Sequence, residues 1–97
     1  MKYFVRNDIK IKDTLIDNNI REAHILYLKN HSIENFILAG VFKDTPGGMI
    51  VFKAENYDKA NEFCRNDPVI LSGHYEYKLI EWNVLIESYL LINPNHQ

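Results

Sequence analysis

Acid–base chemistry in this chain has to come from four histidines and a scatter of carboxylates. The one cysteine, Cys64, has no partner for a disulfide and no CxxC spacing for redox or zinc work. It reads as a small apolar side chain on a helix. His24 is the distinctive residue. It stands in "REAHILYL" on the helical stripe of Ile20, Tyr27 and Leu28, so its ring is expected to point inward. Asp67 immediately precedes Pro68, which a helix cannot run through. A carboxylate beside a buried imidazole favours the charged ring while desolvation opposes it, and a ring held between those effects can act as a base near neutral pH. Asp67 would accept from one ring nitrogen, fix the tautomer and leave the other nitrogen free for a substrate proton. Residue types alone leave a plainer reading open, with His24 a packed, hydrogen-bonded side chain and Asp67 a helix stop.

The elements that must position these groups follow from periodicity. "KYFVRNDIKIK" partly alternates, with Tyr3, Val5 and Ile9 on related faces, and predicts a strand over residues 2–7. "KDTLIDNN" is a polar connection. Asn19 followed by Glu22 has the form of a capping box, which predicts a first helix over 19–33. "NFILAGVF" is too short for a typical helix and reads as a buried strand over 36–42. "KDTPGG" is a turn and "MIVFKAE" the returning strand. Asn56 can cap a second helix whose inward stripe is Tyr57, Ala60, Phe63 and Cys64, ending near Asn66 or Asp67. Asp67 can then cap a short turn through "PVILSG". "HYEYKLIEW" alternates as a last strand.

The order βαββαβ predicts an α+β, ferredoxin-like sandwich, with one antiparallel four-stranded sheet and both helices on one face. Apolar residues on both sides of the strands leave the second face in need of cover, and a second copy, making a homodimer and a dimeric α+β barrel, is the expected one. The apolar "SYLLI" near the end of the chain supports that cover, unless it folds back on its own sheet edge. In this topology the start of helix one and the end of helix two are neighbours, joined by the strand two–three loop and the entry to strand four. His24 and Asp67 meet at that end. The candidate ligand contacts there are Tyr27, Gly48, Ser72 and His74.

A length of 97 residues allows one domain, with a core over about 3–84 and an extension over 85–97. Net charge is -2 and like charges are not blocked together, which argues against nucleic acid and against a polybasic membrane anchor. No apolar h-region opens the chain, no apolar run approaches about 20 residues, and a cytoplasmic location is expected. No cofactor is expected. A metal site through His24, His31, His74 and Asp67 is disfavoured, because no HxH or HxxxH pair occurs and His31 lies two turns from His24, about 10 Å by helix rise. His31 and His96 are expected in solvent, and the tyrosines and Trp82 in core or interface.

Taken together, "REAHILYL" and "LAGVFKDTPGGMIVFKAENYDKANEFCRNDPVILSGHYEYKLIEW" resemble the YCII-related domain. The shared features are an Arg-x-x-His on helix one, a Gly before a Gly-rich hairpin, an Asp-Pro after helix two, a Gly soon after and an aromatic near the end of the last strand. The resemblance spans about residues 3–84. It implies a dimeric α+β barrel with a His–Asp site in a cleft, carried here by His24 and Asp67, with Arg21, Gly40, Gly48, Pro68, Gly73 and Trp82 in support and Arg21 as a further candidate ligand contact. It includes a dehydrochlorinase of chlorinated hydroxyquinols, and the fold neighbours muconolactone isomerases. This chain departs from the pattern in its polar stretch after strand one, in His74 and in its C-terminal extension. Two functions remain: a small-molecule enzyme that moves protons through His24 and Asp67, as a lyase, dehydrohalogenase or isomerase, or a non-catalytic ligand-binding or accessory dimer.

Overall fold

The computed structural model describes residues 1–88. Strand β1 (Lys2–Lys10) alternates as its sequence requires: Phe4, Arg6 and Asp8 are buried beneath the helices, and Tyr3, Val5, Asn7 and Ile9 take the other face. It extends three residues beyond the predicted 2–7 because both neighbours continue to pair with it, Asp8 opposite Gly48 and Lys10 opposite Tyr75. Helix α1 (Asn18–Ser32) follows. Its cap is Asp17 and not Asn19, with Asp17 Oδ1 accepting from the backbone N–H of Asn19 at 2.7 Å. Aspartate in extended backbone satisfies a free helix N–H, and Glu22 accepts from the Asn18 side chain instead of closing a capping box.

Strands β2 (Ile37–Val41) and β3 (Gly48–Ala54) form the hairpin, α2 spans Tyr57–Arg65 under the predicted Asn56 cap, α3 is the short turn Pro68–Leu71 capped by Asp67, and β4 is Tyr75–Trp82. The sheet order is β2-β3-β1-β4 with every pair antiparallel, which is the ferredoxin-like arrangement. Phe4, Ile50 and Phe52 from the sheet meet Leu28 of α1 and Phe63 and Cys64 of α2 in one core. Tyr57 falls short of the predicted inward stripe. It sits at the first turn of α2, half exposed, with its ring edge toward Phe4. His31 is a larger correction: instead of facing solvent, its ring lies 4.0 Å from that of Phe63, centroid to centroid.

The second sheet face carries an apolar row running across all four strands, Leu38 beside Val51, Val51 beside Val5, and Val5 beside Ile80. Leu38 and Ile80 are left exposed at the two ends of that row. The predicted "SYLLI" cover and His96 fall almost wholly outside the described residues. Among the described residues no helix is long and apolar enough to cross a membrane.

Candidate functional site

Three elements bring their polar groups to one end of the sandwich. Asp67 is positioned by its own local geometry: extended backbone before Pro68 lets Oδ1 accept from Val69 N–H at 3.0 Å, so the carboxylate is fixed before anything else touches it. His24, in the second turn of α1, comes to it from above. Its Nδ1 lies 2.8 Å from both carboxylate oxygens. The third contribution comes from β1, where Arg6 donates through Nη1 to Asp67 Oδ2 at 2.9 Å. Arg6 also grips Asp8 side-on, Nε to Oδ1 at 2.6 Å and Nη2 to Oδ2 at 2.8 Å. Arg6 and Asp67 are fully buried, and the His24 side chain keeps 21% of its exposure.

These contacts decide the charge states. Burial alone would raise the Asp67 pKa, but the hydrogen bond to His24 and the charge of Arg6 outweigh it and hold the carboxyl below its ordinary value. Burial would likewise lower that of Arg6, and the two aspartates more than reverse it, so the guanidinium stays charged. An ionised Asp67 can only accept, so Nδ1 of His24 must carry the hydrogen. Nε2 is then the nitrogen left to act on something else. Two carboxylates share one guanidinium, leaving the cluster one negative charge in excess beside the imidazole.

His24 forms part of the wall of a cavity of about 430 Å³. Arg21 and Gly48, both candidate ligand contacts, line it too, as do Leu15 and Ile16 of the loop after β1. The hairpin closes one side. Gly47 has φ +102°, and a Cβ there would stand 2.3 Å from the backbone oxygen of Asp8. Gly48 approaches equally closely, since its Cβ would meet the Gly40 oxygen at 2.5 Å.

Three expected contacts lie elsewhere. The Tyr27 hydroxyl donates to the Phe63 carbonyl at 2.8 Å and its ring stacks on Phe63, so the side chain ties α1 to α2 and is not part of the cavity wall. Ser72 donates to the Val69 carbonyl and is held in the α3 turn. His74, expected at the cleft border, has Nδ1 at 3.2 Å from Ser72 Oγ and is not part of the cavity wall. Conversely, Arg6, Asp8, Lys10 and Tyr75 were not anticipated. Period-two alternation puts Arg6 on the core face with Phe4 even within residues 2–7, and one step further puts Asp8 there too, where a charged pair needs partners. Among the described residues no group of three or more His, Cys, Asp or Glu side chains could hold a metal ion.

The sequence profile of the YCII-related domain matches residues 1–83. No curated protein matches the chain. Among solved structures, 5-chloro-2-hydroxyhydroquinone dehydrochlorinase from Burkholderia phenoliruptrix, in complex with 2,5-dihydroxybenzoquinone, is similar in fold with a TM-score of 0.65 at 20% identity. The match covers 84% of this chain and 93% of that one.

Proposed function

The chain belongs to the YCII-related domain family, and on that premise we propose that it is a small-molecule enzyme in which His24 is the proton-transfer base and Asp67 its orienting partner. The observation that carries this reading is the 2.8 Å contact of His24 Nδ1 with an ionised Asp67, at the wall of a cavity large enough for a small cyclic ligand. Nε2 takes a proton from carbon or oxygen of the substrate. The excess negative charge of the Arg6–Asp8–Asp67 cluster stabilises the imidazolium that forms. The electron pair left behind either moves within the ring, where the imidazolium returns its proton at a different atom to give an isomer, or expels a leaving group such as chloride, giving overall loss of HCl. The dehydrochlorinase with the similar fold supports the second outcome as a reaction class.

The active form in this proposal is a homodimer, a second copy covering the apolar row of Leu38, Val51, Val5 and Ile80.

The test uses solvent deuterium exchange into cyclic 1,3-diketones and chloride release from chlorinated hydroquinones. Wild type is expected to accelerate at least one probe, and His24→Gln to lower that rate by about 10²-fold or more with the fold unchanged by circular dichroism. Equal rates for the two proteins would sink the proposal, and ligand binding without exchange would favour a non-catalytic binding protein.

A further inference from the structure

The charges around the cavity specify more about its ligand than its volume does. Most of the wall is apolar, supplied by side chains such as Ile16, Ile25, Leu28 and Val69. Its formal charges are Asp8, Lys10 and Arg21, and these are not equivalent. Asp8 is held by two hydrogen bonds from Arg6, a guanidinium behind the wall and fully buried. A carboxylate engaged in that way has little attraction left for a ligand cation. Lys10 and Arg21 form no ion pair among the described residues. Lys10 comes from the end of β1, and Arg21 from the first turns of α1, three residues before His24 on the same helix. Asp17, the nearest acid to Arg21 in the helix cap, is turned to the backbone N–H of Asn19 and is not part of the wall.

We infer that the ligand of this cavity is a small apolar carboxylic acid, bound as its anion, with the carboxylate on Arg21 and Lys10 and the apolar body against the aliphatic wall beside His24. The planar fork of Arg21 favours a carboxylate over a spherical anion, and the apolar wall favours an organic acid over an inorganic one. This inference rests on the cavity beside His24 being the substrate site. It adds to that reading a polar anchor away from the reacting atom, which is what holds a substrate in a fixed pose against a base.

The test is the binding of 2-naphthoate and of its neutral isostere 2-naphthamide at pH 7, followed by NMR shifts of the chain. The acid is expected to bind about tenfold or more tightly than the amide, and to shift the amides of Arg21, Gly48 and Val69. Arg21→Gln and Lys10→Gln are each expected to weaken the acid severalfold, leave the amide unchanged and flatten the salt dependence of acid binding. Equal affinities for acid and amide, absence of binding of either, shifts confined to residues outside the cavity, or retention of the acid preference in the Arg21→Gln/Lys10→Gln double variant would each overturn the inference. Binding is read without turnover, so this result is independent of deuterium exchange by His24. An acid preference with no exchange removes the base and keeps the anchor, and exchange with no acid preference does the reverse.

Discussion

Arg6 Nη1 and Asp67 Oδ2 lie 2.9 Å apart across 61 positions of sequence, and both side chains are fully excluded from solvent. The same guanidinium holds Asp8, so one cation from the middle of β1 satisfies a carboxylate at the cavity wall and another behind His24. The site therefore joins three elements: β1 supplies the shared cation, the α3 cap fixes Asp67 against it, and α1 brings His24 to that carboxylate.

Removing that cation should be costly. Arg6→Met leaves two carboxylates facing each other with no cation between them, and should lower stability by about 3–5 kcal/mol in urea unfolding. Adding Asp8→Asn should recover part of the loss, because one of the two stranded charges is gone. A double variant no more stable than Arg6→Met would show that the loss comes from packing and not from charge.

Two acid-sensitive windows should appear in the stability of the protein. Burial pushes the His31 ring below its ordinary value, and its Nε2 is buried without a hydrogen-bond partner. The folded state resists protonation there, so stability should fall as pH drops below about 6.5, through the lower folded value. Asp67 is depressed from its ordinary carboxylate value, so the stability its ionised form contributes is complete above about pH 4 and is lost as pH falls through the folded value. Urea midpoints measured from about pH 8 to 2 should show both declines. His31→Phe should flatten the first alone and Asp67→Asn the second alone.

Glycines of the hairpin should differ sharply in tolerance. A Cβ on Gly48 meets backbone of β2 at 2.5 Å, whereas one on Gly40 meets nothing within 4 Å. Gly48→Ala should cost more than about 2 kcal/mol and Gly40→Ala less than about 0.5 kcal/mol in thermal unfolding. A tolerated Gly48→Ala would mean that β2 and β3 can separate without loss.

The proposed dimer makes its own prediction. Ile80→Glu puts a charge at one end of the apolar row on the outer sheet face while leaving the helix-covered core untouched. It should convert the wild-type dimer to a monomer in size-exclusion chromatography with light scattering, at the cost of little monomer stability. A wild type that runs as a monomer, or a variant that stays dimeric, would remove the second copy from the picture.

Element order and sheet topology were legible in the sequence because each rests on local rules: alternation in strands, an apolar stripe in helices, Asn56 and Asp67 as caps, and Pro68 as a stop. Those rules also put His24 and Asp67 at the same end of the sandwich, since βαββαβ connectivity leaves little choice about which helix ends adjoin. Cap choice between Asp17 and Asn19 was not legible, because either residue can accept from a helix N–H and only the path of the preceding loop selects one. Tertiary structure alone decided how the polar groups are paired. Arg6 and Asp8 are ordinary strand residues until β1 is flanked on both sides and α1 and α3 close over them. Burial then makes each charge depend on a partner distant in the chain. The same holds for His31 and Tyr27, whose places against Phe63 depend on how α1 seats on α2. Local sequence sets which groups can accept or donate a proton, and long-range packing decides which of them are left free to do so.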